Sequence, residues 1–148
     1  MLSSFGSLDS KDLEVFQRNN NLDLPDDYKE YLLRNSGGSA NDEIVCFNAE
    51  KIAEPIALGS LFGVGNAKES LSIETWLNEY RDELLENMLI IGHATGSGLV
   101  LLVNQEDWKG IYFWDNCLDY ENSTEDECMY FVAKTFIEFL NGLFLYKK

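Results

Sequence analysis

A chain of 148 residues with 26 Asp and Glu against 11 Lys and Arg has a formal net charge of −15 at pH 7. That excludes nucleic acid and anionic membrane surfaces as partners, because both need clustered cations. Apolar residues make up 45% of the chain, too many for a disordered polymer, and the length suits one domain over residues 1–148 that buries roughly two-thirds of its unfolded surface.

No apolar run approaches the roughly 18 residues needed to span a bilayer. Met1 to Ser10 has no basic residue and no long apolar core, so no secretion signal is expected there. Cys46, Cys117 and Cys128 are odd in number and widely spaced, a pattern of free thiols in a reducing compartment. The expected location is the cytoplasm. Acidity on this scale either serves solubility alone or speeds encounter with a basic partner, by roughly 10- to 1000-fold at low salt.

Leu8, Leu13, Val15 and Phe16 predict a first helix from about Ser7 to Arg18, with Ser7 or Ser10 as N-cap. Asn19-Asn20-Asn21 reads as a loop. A second helix opens at Pro25, which fits a first turn, and Asp26, Asp27 and Glu30 sit near its positive end. Tyr28, Tyr31 and Leu32 share one face, and Gly37 or Gly38 is expected to close the helix in the left-handed conformation. The two helices make an αα-hairpin.

Glu43–Asn48 is a strand candidate, and Gly59, Gly63 and Gly65 punctuate a second strand or loop region. A third helix is predicted over about Ser72 to Asn87, with Ile73, Trp76, Leu77, Tyr80 and Leu84 on one stripe. Three continuous apolar runs follow: Met88–Ile91, Leu99–Val103 and Ile111–Trp114. Strands of that kind are covered on both faces, or covered on one and sticky on the other, and their short links favour antiparallel hairpins. Gly92 to Gly98 lacks the lysine and following helix of a phosphate loop and reads as a hairpin turn with positive φ angles. A last helix is predicted over about Phe131 to Leu145. The order predicts an α+β domain, a mainly antiparallel sheet flanked by about four helices.

Several of these segments resemble one family. Leu24-Pro25, Tyr28-Lys29, Tyr31-Leu32-Leu33 and Asn35-Ser36-Gly37-Gly38 are similar to the N-terminal signature of the SUKH superfamily, the domain family of the yeast cell-wall-synthesis regulator and of many bacterial toxin-immunity proteins. Leu89-Ile90-Ile91-Gly92 followed by Gly96-Ser97-Gly98-Leu99-Val100-Leu101-Leu102 resembles its strand, glycine turn and strand. Gly110-Ile111-Tyr112-Phe113-Trp114-Asp115 resembles its tryptophan-aspartate strand, and Ala133, Thr135, Phe136, Glu138, Phe139 and Leu140 its closing helix. The chain departs from the pattern at Ser97-Gly98, where relatives often have an acidic residue, and at Asn116, where they often have histidine. The resemblance implies a binding role without catalytic residues or cofactor. In bacteria it points to an immunity protein that binds a cognate toxin, and the alternative is a regulatory scaffold for a cellular partner.

Two groups are candidates for the partner surface. Asp115, Asp119, Glu121, Glu125, Asp126 and Glu127 form an acidic stretch free of Lys and Arg. It either docks on the basic cleft of a toxin or is a solvated loop whose last carboxylates favour the start of the final helix. Its spacing lacks the glycine and alternating oxygens of a calcium loop. Trp108, Tyr112, Phe113 and Trp114 are the second group, since Trp and Tyr dominate interface energetics. Ile111 and Phe113 face one side of a strand and Tyr112 and Trp114 the other. Burial of both pairs is the ordinary reading. The sole histidine, His93, is read as a loop residue. Pairing it with Cys46 or Cys117 as base and nucleophile would give a small enzyme, but no nucleophile motif surrounds either cysteine. Cys117 and Cys128 alone do not make a zinc site. Surplus apolar strand faces leave monomer and homodimer open.

Overall fold

The computed structural model describes residues 2–40, 42–115 and 129–146. Among them are nine strands and four α-helices: β1 (Ser3–Ser4), α1 (Ser10–Asn19), α2 (Asp26–Asn35), β2 (Gly38–Ser39), β3 (Val45–Phe47), β4 (Ile56–Leu61), α3 (Ile73–Glu79), β5 (Met88–Ala94), β6 (Leu99–Val103), β7 (Gly110–Trp114), β8 (Met129–Ala133), α4 (Phe136–Asn141) and β9 (Phe144–Leu145). All named strand pairs are antiparallel, in the order β1-β2-β4-β5-β6-β7-β8. β3 runs beside the first half of β4 and carries β9 on its other edge. This is the α+β architecture expected from the order of elements.

The three apolar runs are the middle of the sheet. Every residue of β6 is buried, as are all of β5 except His93. They are apolar at consecutive positions because both faces are covered. On one side Phe113 meets Phe47, which meets Phe139 of α4, and Tyr28 of α2 meets Phe136 edge-on at 4.8 Å. On the other side Phe62 stacks on Trp76 of α3 at 5.0 Å, and Trp114 meets Tyr80 just past α3. The β5–β6 turn places Gly96 at φ +98 and Gly98 at φ +104, the positive angles expected of the hairpin.

The structure corrects the helix boundaries. Asp9, not Ser7 or Ser10, caps α1, its carboxylate accepting from Lys11 N–H at 2.9 Å. An anion there also suits the positive helix end. Pro25 sits one residue before α2 and accepts the first helical hydrogen bond through its carbonyl. Ser36, at φ +38, takes the left-handed closing position ahead of Gly37. Its hydroxyl meanwhile accepts from Val64 N–H at 3.1 Å, which fixes it there.

The third helix stops at Glu79, eight residues short of its predicted end. Glu79, Asp82, Glu83 and Glu86 would crowd the negative end of a longer helix, and no basic residue stands in its last turn. Leu84 still reaches the apolar stripe through a turn in which its N–H donates to Tyr80 O. The predicted final helix is a strand, a helix and a strand. Met129 to Ala133 pairs with β7, and the helix begins only after Thr135, whose hydroxyl accepts from Glu138 N–H. Glu138 returns a carboxylate oxygen to Lys134 N–H, a variant of the capping box.

Candidate functional site

The aromatic candidates converge. Trp108, Tyr112 and Trp114 line one groove of about 210 Å³ together with Glu83, Leu84, Leu85, Met88, Leu101 and Met129. Strand register assembles it. Leu101 stands opposite Tyr112, and Trp114 stands opposite Met129. Side chains directly across an antiparallel pair share a face, so three strands put four lining side chains on one side of the sheet. The turn after α3 brings Glu83, Leu84 and Leu85 over them. Ile111, Phe113 and Trp114 are core, while Tyr112 is half-buried. Burial of both strand pairs therefore holds for three of the four residues, and the fourth walls the groove.

The side-chain polar atoms of Trp108 and Tyr112 are used within the molecule, whereas Trp114 Nε1 is buried in the wall with no partner among the described residues. Trp108 donates its indole N–H to Gln105 Oε1 at 2.8 Å, and Gln105 donates its amide to Glu86 O at 2.6 Å. Tyr112 donates its hydroxyl to Trp108 O at 3.0 Å. Burial first, and the charge of Glu50 second, push the Tyr112 phenol above its ordinary pKa, so it stays a donor. Tyr112 also meets Trp108 and Phe131 edge-on, at 5.4 and 5.6 Å. What Trp108 and Tyr112 turn to the groove is mostly ring surface, and Glu83 adds a carboxylate to the lining. Leu85 stands at its mouth, 53% exposed.

One carboxylate lines this slot, and others neighbour its aromatic residues in the chain, as does the exposed Lys109 after Trp108. Glu83 lines it, Glu106 and Asp107 precede Trp108, Asp115 follows Trp114, and all are exposed. Among the described residues the only ion pairs are Lys29–Asp26 and Arg34–Glu30, both on α2. The carboxylates at the groove are therefore unpaired there. Of the acidic stretch, Asp115 is exposed at the end of β7, whereas Asp119, Glu121, Glu125, Asp126 and Glu127 lie outside the described residues.

His93 is a strand residue, not a loop residue. It occupies β5, half-buried, with its ring stacked on Phe62 at 5.7 Å and Nδ1 3.2 Å from Ala94 O. A Cβ on Gly59 would collide with that ring, so Gly59 makes room for it. No hydrogen bond joins His93 to Cys46. Cys46 is buried in β3, and desolvation pushes its thiol pKa up, away from the thiolate a nucleophile needs. Cys117 and Cys128 lie outside the described residues. Among those described, no group of three or more His, Cys, Asp or Glu is placed to hold a metal ion, and no helix is long and apolar enough to cross a membrane.

The groove residues that sequence reasoning missed are Leu84, Leu85, Met88, Leu101, Met129 and Glu83. Their apolar runs were visible, but which of their faces would meet the aromatics depends on register. Neither a curated protein nor a solved structure gives a significant match to the chain. The sequence profile of the SMI1 / KNR4 family (SUKH-1) matches residues 7–142, from the loop before α1 to the end of α4, and takes in every element that builds the groove. The chain belongs to the SMI1/KNR4 (SUKH-1) family.

Proposed function

We propose that this protein is a non-enzymatic immunity protein of the bacterial cytoplasm that binds a cognate protein toxin and neutralises it by covering the toxin's working surface. Family membership supports a protein-binding role. The observation that carries the reading further is the aromatic groove lined by Glu83, with exposed carboxylates next to its aromatic residues in the chain, on a protein of charge −15. A toxin that acts on nucleic acid is basic where phosphates sit, and such a surface matches this one in sign. Opposite charge speeds encounter, and aromatic contacts then slow release. The partner surface on this reading comprises Trp108, Tyr112 and Trp114 with Asp115, Asp119, Glu121, Glu125, Asp126 and Glu127.

The test is co-expression in bacteria with each toxin domain encoded beside the protein, scored by survival and followed by purification of the complex. Rescue from one such toxin, with a stable complex and no rescue from unrelated toxins, is the expected result. Growth arrest with every toxin domain of the locus, together with no complex, overturns the reading in favour of a regulatory scaffold with a cellular partner.

A further inference from the structure

We propose that the groove receives a single bulky apolar side chain of a basic protein partner, while Lys or Arg residues flanking that side chain settle on the carboxylates at the rim. The inference deepens the binding role proposed above and names what its central contact is made of.

The inside of the groove decides the anchor. The polar atoms of Trp108 and Tyr112 are already committed to Gln105 and to the Trp108 carbonyl, and the unpartnered Trp114 Nε1 is buried below the surface of the wall, so a polar side chain entering would lose water for little return. An apolar one gains by burial against Leu101, Met88 and the two rings. Leu85, more than half exposed beside Glu83 and Glu86, is apolar surface that a partner would cover.

The rim decides the partner. Glu83 lines the groove, and Glu86, Glu106, Asp107 and Asp115 lie within two residues of a lining residue; all five are exposed and in no ion pair among the described residues, and they outnumber the one exposed cation next to Trp108, Lys109. Glu50 lies close enough to Tyr112 for its charge to act on that phenol. A second copy of this chain would bring its own −15 to the same place, and phosphate-bearing partners would be repelled. A free apolar small molecule would leave the carboxylates unused. A basic polypeptide uses both features.

The test takes the full chain and two synthetic peptides, Gly-Lys-Arg-Phe-Arg-Lys-Gly and the same sequence with Ser for Phe, with binding read from tryptophan fluorescence. The phenylalanine peptide is expected to bind about tenfold tighter than the serine peptide, the scale set by burying one such side chain. Raising salt is expected to weaken both. Leu85→Asp, at an exposed position where thermal stability checks the fold, is expected to erase the difference between the peptides. Glu83→Lys with Glu86→Lys is expected to weaken both peptides equally. Equal affinity of the two peptides, no binding of either at millimolar concentration, or a preference that survives Leu85→Asp overturns the proposal. Failure of the wild-type protein to bind any toxin of its locus would sink the immunity reading and leave the peptide result standing. Loss of the peptide preference alongside intact toxin binding would do the reverse.

Discussion

The carboxylate of Asp27 accepts a hydrogen bond from the backbone N–H of Ile137 at 3.0 Å, across 110 positions of chain. The other oxygen of the same carboxylate accepts from Tyr28 N–H at 2.8 Å. Ile137 is in the first turn of α4, where backbone donors have no partner within the helix. Thr135 satisfies one of them, at Glu138, and Asp27 satisfies another. The start of α2 is thus tied to the start of α4 beside the Tyr28–Phe136 ring contact. Asp27→Ala is expected to lower the unfolding free energy by about 1–2 kcal/mol. Asp27→Asn keeps an accepting oxygen and is expected to lose less. Urea denaturation of the three proteins decides it, and an Asp27→Ala protein as stable as the wild type would show that the cap contributes nothing.

Three buried polar atoms have no partner among the described residues: Ser60 Oγ, Tyr28 Oη and Trp114 Nε1. A buried donor or acceptor left unpaired carries its desolvation cost with nothing in return. Ser60→Ala removes one such group and little volume, so it is expected to raise stability by about 1 kcal/mol. Tyr28→Phe is expected to be neutral or stabilising for the same reason. Trp114→Ala is expected to move the other way, by about 3–5 kcal/mol, because it empties the space between Tyr80 and the groove. Denaturant midpoints of the variants provide the comparison.

These atoms also show where reading a sequence stops. Leu99–Val103 was legible as a strand covered on both faces because five apolar residues in a row admit few alternatives. Gly96 and Gly98 were legible as a turn because only that role needs two glycines so close. Phe131, Phe136, Phe139 and Leu140 fall at spacings that suit a helix, and they concealed the break between β8 and α4. Thr135 followed three residues later by Glu138 was the available signal for that break. β1, β2 and β9 have two residues each, too short for any periodicity. At the groove, Trp108, Tyr112 and Trp114 were named from residue type alone. Leu101 and Met129 join them only through the pairing of β6, β7 and β8, which is decided by the packing of the whole sheet.

Two tyrosines of α2 predict how the protein responds to alkali. Burial pushes the Tyr31 phenol from 10.0 to about 12, and burial, with Tyr31 beside it, pushes Tyr28 well above 10.0. A raised folded-state pKa means that the unfolded chain loses these protons first. Stability is therefore whole below pH 10 and falls as pH rises from 10 towards 12. Tyrosinate absorbance followed with circular dichroism is expected to show these two phenols ionising together with unfolding. Tyr28→Phe with Tyr31→Phe is expected to flatten the loss of stability over that range. An unchanged slope would remove the two residues from the account.

Gly63 and Gly96 separate crowding from backbone strain. Gly63 has an ordinary φ, but a Cβ there would run into the backbone carbonyl of Ser36. The contact cannot relax cheaply. Gly63 N–H donates to Leu71 O at 3.0 Å, its carbonyl accepts from Ile73 N–H at 2.9 Å, and Val64 N–H is held by the Ser36 hydroxyl. Gly96 is the opposite case, with φ +98 and no atom within 4 Å of the added carbon. Gly96→Ala is expected to cost about 1–3 kcal/mol, the strain of a non-glycine residue in that region. Gly63→Ala is expected to cost more than that, or to prevent folding, because it must part the end of α2 from the start of α3. Thermal melts of both variants give the order. A Gly63→Ala protein as stable as the Gly96→Ala protein would mean that the Ser36 junction yields, and that α3 is not held to α2 there.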